Sequence, residues 1–283
     1  MKKTIKKVLS GIVRIELLWA IIAKVIIYPG QLLRSLRLGY EADRIIEGNS
    51  VLRDALAKRV VISGPFEGLS YGNLEAHCSA LHPKLLGSYE MELIPTIRDA
   101  IDRKYATIVD VGAAEGFYAI GLALKIPGAK VIAFEQEEDA RGELAALAAL
   151  NHVAERIEIR ERCEPQDLAE IGIEQGLMIL DCEGYEENLL STEMISTLKS
   201  WDFLIETHDG ISPEVTMRLE ERFSKTHQTS RIEIINDLNR ADHFELDAIA
   251  GLSRRQKDRL LAEGRQHATV RWLACHSRTA RAV

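Results

Sequence analysis

The chain has 283 residues, 46% of them hydrophobic, and a formal net charge of -7. This length and apolar content suffice for a sizeable core, so we expect a folded globular protein rather than a disordered chain. An acidic body lacks the basic surface that phosphate contacts need, which excludes a general nucleic-acid binder. The four cysteines form no Cys-x-x-Cys pair, so we predict neither a zinc site nor a disulfide framework, and a cytoplasmic location.

Residues 1–37 carry eight Lys or Arg side chains and a single acid, so the basic charge of the chain is concentrated there. An apolar run at 8–28 is long enough to cross a bilayer, but it contains Arg14, Glu16 and Lys24. Each such charge costs about 2.5–3.5 kcal/mol near a bilayer centre, and a span is not expected. We predict a basic amphipathic helix over 1–38. It either lies peripherally at the inner face of the membrane or packs on its own domain or on a second copy in a homo-oligomer.

Residues 39–105 are expected to form a helical and hairpin lead-in to the main domain. A mixed, charged sequence at 40–58 predicts a linking helix, and two short strands at 59–63 and 69–71 flank a turn built from Gly and Pro. Apolar residues at helical spacing over 85–101 predict a further helix, which Pro95 should kink.

From residue 106 to 283, apolar runs alternate with helical patterns. The predicted strands are 107–111, 130–134, 156–160, 177–180, 203–205, 232–235 and 270–274. The predicted helices are 115–126, 139–151, 184–199, 213–227 and 253–263. This alternation predicts an α/β fold with a doubly wound, mostly parallel seven-stranded sheet and helices on both faces. Ligands bind such sheets beyond the carboxyl ends of the strands.

The turn after the first strand, at 110–117, reads Asp-Val-Gly-Ala-Ala-Glu-Gly-Phe. Gly112 and Gly116 allow a tight turn and a close backbone approach to a ligand. A dinucleotide-binding fingerprint would have glycine at the positions of Ala114 and Phe117. The absence of these glycines weakens the prediction of a dinucleotide site. An acid followed by Gly-x-x-x-Gly is instead typical of class I methyltransferases, where Asp110 would stand near the ammonium of S-adenosylmethionine. A glycine-rich turn without a ligand is the remaining alternative.

Glu135 follows the second strand and precedes Gln136. A carboxylate at this position can accept two hydrogen bonds from a ribose diol. Nicotinamide and S-adenosylmethionine cofactors both have such a diol, so Glu135 indicates a nucleoside without choosing between them. A solvated surface acid is the alternative.

Two further loops supply candidates for the chemistry. After the fourth strand, Asp181 and Glu183 flank a small residue, and either carboxylate there can orient an acceptor hydroxyl or take its proton. After the fifth strand, Glu206 and His208 share one side of the chain, and His208 is a candidate base. The alternatives are a helix cap for the acids and a structural role for the histidine. We expect Glu186 to be solvated.

The acids and the histidine of these loops also have the ligand chemistry of a divalent cation such as Mg²⁺. The set is Asp181, Glu183, Glu206, His208 and Asp209. Its spacing defines no site, and we assign no metal from the sequence.

At these residues the sequence resembles the FkbM-like methyltransferases, a class I group of mainly O-methyltransferases. The likeness covers about residues 60–210 and lies in the motifs at 64–68, 84–90, 110–116, 133–135, 181–186 and 205–208. The resemblance implies that Glu90, on the helix before the first strand, contacts the cofactor and that Asp181 lies between cofactor and acceptor. Relatives often have Pro where this chain has Gln136. Their acceptors range from sugars to polyketides, so the acceptor does not carry over.

We therefore predict an S-adenosylmethionine-dependent O-methyltransferase acting on a small molecule or glycan, with Asp181, Glu183 and His208 as catalytic candidates. The predicted cofactor contacts are Glu90, Asp110, Gly112, Ala113, Ala114, Glu115, Gly116, Phe117, Glu135, Gln136 and Asp181. The alternatives are an NAD-dependent oxidoreductase and a non-catalytic, membrane-associated nucleoside-binding module.

Overall fold

The structure is a computed structural model that describes residues 28–77, 79–171, 175–264 and 270–279. Most of the predicted N-terminal helix at 1–38 therefore lies outside the described residues. Within the described residues, no helix is both long enough and apolar enough to cross a membrane.

The lead-in contains helices α1 (Tyr28–Glu47), α2 (Ser50–Leu56), α3 (Leu81–Leu86) and α4 (Ile94–Arg103). The single helix predicted at 40–58 is divided because Asn49 accepts a hydrogen bond from the Leu52 amide and starts a new helix. The two predicted strands are reduced to one bridge, between Val60 and Ser70.

The helix predicted at 85–101 is also divided, and the break shapes the site described below. Gly87 ends α3 in a left-handed conformation. Glycine is required there because a Cβ would meet the Ser63 carbonyl. A short 3-10 helix at Met91–Leu93 then leads into α4. Pro95 lies in the first turn of α4, where its missing N–H costs nothing, so it starts a helix rather than kinking one.

The main sheet has seven strands in the order β3-β2-β1-β4-β5-β7-β6. They are β1 (Thr107–Val111), β2 (Lys130–Phe134), β3 (Ile157–Arg160), β4 (Gly176–Leu180), β5 (Asp202–Thr207), β6 (His227–Glu233) and β7 (Arg271–Ser277). The first five are parallel, and β7 runs antiparallel to both β5 and β6. The predicted mostly parallel, seven-stranded sheet is confirmed. The prediction for β6 is displaced along the chain because this edge strand is half exposed and has no continuous apolar run.

Helices cover both faces of this sheet. They are α5 (Phe117–Lys125), α6 (Glu138–Leu150), α7 (Pro165–Glu170), α8 (Glu186–Leu189), α9 (Thr192–Thr197) and α10 (Val215–Phe223). A further helix, α11 (Arg254–Leu260), packs against α1 of the lead-in. The helix predicted at 184–199 is two short helices, since Ser191 caps the second of them. The helix predicted from residue 115 begins only at Phe117, because Gly116 before it is left-handed. Glu115 is consequently a loop residue.

The lead-in shares its core with one face of the sheet. The Phe66 ring packs edge-on against Phe117, with ring centroids 5.1 Å apart, and against Tyr118 at 5.9 Å. Gly121 makes room for it, because a Cβ on Gly121 would lie 2.5 Å from the Phe66 ring. The lead-in thus packs directly on α5, the helix that follows the glycine-rich turn.

Candidate functional site

A cleft of about 480 Å³ opens at the carboxyl ends of β1, β2, β4 and β5. In the sheet, β2 and β3 lie on one side of β1, and β4 and β5 lie on the other. The strand order therefore reverses between β1 and β4. The cleft lies at this reversal, which is the usual ligand position in open α/β sheets. Its volume is in the range of small-molecule and cofactor pockets. All the predicted cofactor contacts except Glu90 and Gly116 line it, as do Glu183 and Glu206.

The glycine-rich turn is held between two neighbouring strands. The amides of Gly112 and Ala113 both donate to the Phe134 carbonyl at the end of β2, at 2.9 and 3.0 Å. Gly112 has a φ of +83°, and a Cβ there would lie 1.7 Å from the Asp181 carbonyl oxygen beyond β4. No other residue fits at 112, and the turn therefore brings the ends of β1, β2 and β4 together.

Asp110, on β1, is buried, and its carboxylate faces the cleft with one oxygen unsatisfied. Oδ2 has no hydrogen-bond partner among the described residues. Burial raises the pKa of Asp110 to about 7; a hydrogen bond from the Ala119 amide opposes this, and the charges of Glu135, Glu115 and Glu90 add to it. A buried carboxylate with a free oxygen and a perturbed pKa is the kind of group that a cationic ligand would stabilise.

Glu135 follows β2 and is oriented by two backbone amides. Its Oε2 accepts from the Ala114 amide and its Oε1 from the Glu137 amide, each at 2.8 Å. Each carboxylate oxygen keeps a further lone pair, and the residue lines the cleft. The structure therefore holds Glu135 in place for the predicted ribose contact, with Gln136 beside it.

Glu115 has a different environment from the one predicted. It lines the cleft wall, but its carboxylate is buried and already engaged by Lys84 Nζ, the Tyr71 hydroxyl and the His77 amide. The hydroxyl and amide distances are both 3.0 Å. Glu115 thus ties the lead-in to the glycine-rich turn, and its cofactor contact stays a prediction. Sequence reasoning assigned no role to Lys84, although it is the first residue of the motif at 84–90.

Glu90 is not helical, contrary to the prediction. It lies between α3 and the 3-10 helix in a left-handed conformation, with φ of 47°. Its carboxylate accepts a hydrogen bond from the Tyr118 hydroxyl, and its charge raises the pKa values of both Asp110 and Asp181. Glu90 lines a smaller cavity that shares Tyr89, Phe117 and Tyr118 with the cleft. Its cofactor contact also stays a prediction.

A buried ion-pair network holds Glu90 from the far side. The Glu90 amide donates to Glu263 Oε1 at 2.8 Å, and Arg240 Nη1 donates to the same oxygen at 2.7 Å. The Arg240 guanidinium is fully buried, with Glu92 Oε2 3.6 Å and Asp237 Oδ1 3.7 Å away. Sequence reasoning missed this network because its members lie far apart in the chain, and no local spacing pairs them.

His208, the first residue after β5, is nearly enclosed by carboxylates. Its Nδ1 lies 2.9 Å from Glu186 Oε1. Its Nε2 faces Glu206 Oε2 at 3.4 Å, Glu183 Oε2 at 3.5 Å and Asp181 Oδ1 at 3.7 Å. The two predicted loops therefore meet. The expectation of a solvated Glu186 is wrong. The turn at Gly184 directs its side chain inward, where it is fully buried and accepts a hydrogen bond from the Gly184 amide.

The protonation of this cluster bears on which group acts as a base. Burial lowers the pKa of His208, but its hydrogen bonds to Glu186 and Glu206 outweigh burial and bring it to about 10. In the ligand-free protein the ring is therefore a cation at neutral pH and does not accept a proton. Burial raises the pKa of Asp181 well above its usual value, and the charge of Glu206, a hydrogen bond with Glu206 and the charge of Glu90 add to it. Glu183 lies at the rim with its side chain 81% exposed.

No protein-family model matches the sequence, and a search of curated proteins finds no significant match. Solved structures with a similar chain path include the O-methyltransferase TomG from Streptomyces achromogenes, at 13% identity over 64% of this chain and 77% of that one, with a TM-score of 0.42. An O-methyltransferase from Bacillus cereus is similar at 9% identity over 64% and 77%, with a TM-score of 0.43.

The C-terminal domain of precorrin-6Y C5,15-methyltransferase from Rhodobacter capsulatus is similar at 16% identity over 66% of this chain and 88% of that one, with a TM-score of 0.42. Likenesses of this extent do not assign an activity. The sheet order, with an antiparallel β7 between β5 and β6 at one end of a mostly parallel sheet, defines a doubly wound, Rossmann-like α/β fold.

The Arg240 network provides a test of how the site is held. Replacing Arg240 with Ala leaves Glu92, Asp237 and Glu263 buried without their cation, so we expect a loss of about 3–5 kcal/mol in the free energy of unfolding. Urea denaturation followed by circular dichroism measures it. Arg254→Ala is the control, because Arg254 pairs with Asp242 at 2.6 Å with its side chain 54% exposed, and should cost about 1 kcal/mol or less. Equal losses in the two variants would show that the buried network does not support the fold.

Proposed function

We propose that the protein is an S-adenosylmethionine-dependent methyltransferase that methylates a hydroxyl oxygen on a small molecule or glycan. The observation that carries this proposal is the buried, unpartnered Oδ2 of Asp110 at the glycine-rich turn, in the same cleft as the oriented carboxylate of Glu135. The Asp110 carboxylate suits an ammonium group, and the Glu135 carboxylate suits a ribose diol. Membership of the FkbM-like group is part of the proposal and is supported by the motifs quoted above.

The residues of the cleft divide into two groups along the proposed reaction. Asp110, the Gly112 turn and Glu135 would hold the cofactor, with Phe117, Gln136 and the backbone of Ala113 and Ala114 beside it. Asp181, Glu183 and His208 lie past the ends of β4 and β5, where the acceptor would approach. The division follows from the strand order, since β1 and β2 carry the first group and β4 and β5 the second.

The chemistry requires little from the protein besides alignment. The acceptor oxygen attacks the methyl carbon in line with the sulfur, the carbon–sulfur bond breaks, and S-adenosylhomocysteine leaves. Because the sulfonium is already an activated donor, the enzyme has mainly to position the two reactants and exclude water. The hydroxyl proton would pass to the Asp181 carboxylate, which lines the cleft where the acceptor would approach.

The leading alternative is an NAD-dependent oxidoreductase, and ligand-induced stabilisation separates the two. We expect S-adenosylhomocysteine to raise the melting temperature and NADH to leave it unchanged, because Ala114 and Phe117 replace two glycines of the dinucleotide fingerprint. A ligand at a hundred times its dissociation constant stabilises the fold by about 2.7 kcal/mol, which a thermal-shift measurement detects readily. Stabilisation by NADH alone would reject the methyltransferase. Stabilisation by neither would favour the third hypothesis, a non-catalytic module.

Asp110→Asn tests the carboxylate that carries the proposal. Hydrogen bonds to charged groups contribute roughly 1.5–3 kcal/mol, so we expect calorimetry to show S-adenosylhomocysteine binding weakened about 10- to 100-fold at pH 7.5. In the wild type, ionisation of a carboxyl with a pKa of about 7 increases from pH 6 to 7.5, so affinity for the ammonium should rise over that interval. The variant should lose this rise, and the exposed Asp139→Asn should keep it. An Asp110→Asn variant with wild-type affinity would remove the main support for the proposal.

We also propose that residues 1–37 contact an anionic membrane surface, on the basis of their charge. Cosedimentation with vesicles containing anionic lipid should pellet the full chain and leave a chain lacking residues 1–37 in solution. Vesicles of neutral lipid are the control. Equal pelleting of the two chains would reject the contact and favour packing of the segment on the protein itself or on a second copy.

A further inference from the structure

The lead-in contributes a buried lysine to the cleft, and the proposed reaction gives it no role. Lys84, in α3, is 3% exposed and lines the cleft, with its Nζ 4.7 Å from the centre of the Tyr89 ring. We propose that Lys84 binds the carboxylate of the amino-acid part of the cofactor while Asp110 binds its ammonium. The inference rests on the proposed function, because it assigns a further contact to the same S-adenosylmethionine.

The amino-acid end of the cofactor brings two opposite charges into the cleft. Its carboxylate and its ammonium are attached to the same carbon atom, so a cofactor with its ammonium at Asp110 has its carboxylate beside that residue. The cleft is lined by the acids Asp110, Glu135, Asp181 and Glu206. A carboxylate brought out of water among such groups is unfavourable unless a cation or hydrogen-bond donors receive it. A cation near Asp110 is the strongest such partner.

Lys84 and Asp110 lie beside the start of the same helix, α5. The Asp110 carboxylate accepts a hydrogen bond from the Ala119 amide, in the first turn of α5. Lys84 Nζ lies over the ring of Phe117, the first residue of that helix, 5.1 Å from its centroid. Nζ also pairs with Glu115, whose charge is close enough to raise the pKa of Asp110. Lys84 and Asp110 therefore flank the same end of the cleft.

The Lys84 ammonium keeps a hydrogen-bond donor for a ligand. An ammonium has three N–H donors, and among the described residues Nζ gives one to Glu115 and one to Ser79 Oγ, which lies at 2.7 Å. The Glu115 carboxylate is also held by the Tyr71 hydroxyl and the His77 amide, each at 3.0 Å, so it does not depend on Lys84 alone. The remaining donor of Lys84 can therefore turn to a carboxylate in the cleft without leaving Glu115 unpaired.

The other basic side chains of the described cleft lining point away from Asp110. Arg162 follows β3, which β2 separates from β1, and its Nε pairs with Glu164 Oε1 at 3.1 Å. The His77 ring lies at the start of α6, with Nδ1 3.0 Å from Glu143 Oε2 and Nε2 3.7 Å from Glu137 Oε2. Lys84 is thus the cation best placed for a carboxylate beside Asp110.

Calorimetry with a ligand that lacks only the carboxylate tests the contact. S-adenosylhomocysteine and its decarboxylated analogue, S-adenosyl-3-thiopropylamine, share the adenosine, the sulfur and the ammonium. Since hydrogen bonds between charged groups are strong, we expect the full wild-type chain to bind the analogue about 10- to 100-fold more weakly. In Lys84→Met this preference should fall to about threefold or less, through weaker binding of S-adenosylhomocysteine. A wild-type preference in folded Lys84→Met would overturn the contact.

Two further variants separate a ligand contact from a structural role of Lys84. Lys84→Met/Glu115→Gln removes both charges of the buried pair, so it leaves no unpaired carboxylate if the single variant does not fold. It should lose the preference as well, whereas a purely structural role would weaken both ligands equally and keep it. Arg162→Met is the matched control and should keep the wild-type preference. Loss of the preference in Arg162→Met and its retention in the Lys84 variants would assign the carboxylate to Arg162 instead. Circular dichroism checks that each variant is folded.

The contact and the proposed function fail separately in these measurements. Equal affinity of the wild type for the two ligands would keep the cofactor site and remove the carboxylate contact. Binding of neither ligand would reject the methyltransferase and the Lys84 contact with it.

Discussion

The approach of the Gly112 backbone to the Asp181 carbonyl is the constraint on which the site depends. A Cβ at residue 112 would lie 1.7 Å from that oxygen, so the ends of β1 and β4 meet with no side chain between them. The turn therefore lies close against the end of β4. Asp110 and Glu135 face one cavity, and Asp181 borders the same cavity from the neighbouring strand. Two groups of residues from opposite sides of the strand-order reversal thus reach a single ligand-sized space.

That space has a strongly acidic wall. Asp110, Glu135, Asp181 and Glu206 all line it, while Lys84, a buried cation beside it, is paired with Glu115. Burying carboxylates in one place is unfavourable unless cations accompany them. The proposed cofactor is a cation, with an ammonium group near Asp110 and a positively charged sulfonium in the same cleft. The electrostatics of the cleft therefore agree with the chemistry proposed for it.

The strands that build the cleft were predictable because buried parallel strands are short continuous apolar runs, and β1 and β2 have the predicted bounds. The acids that follow them were predictable because topology places strand ends together. Glu186 and Arg240 were not. Glu186 is buried by a turn rather than by a hydrophobic pattern, and the partners of Arg240 come from segments more than a hundred residues apart in the chain. Such pairings depend on tertiary packing, which no local spacing encodes.

Backbone strain shows how far the support of the site extends. Glu90, Ala114 and Glu183, all beside the two cavities, have φ angles of 47°, 48° and 53°. Non-glycine residues in this conformation cost about 1–3 kcal/mol each and persist only where neighbours hold them. The Ala114 amide is held by Glu135 and the Glu90 amide by Glu263, which is in turn held by Arg240. The lead-in and the segment before β7 therefore contribute to the site, because they hold Glu90 at a position that the sheet alone would not determine.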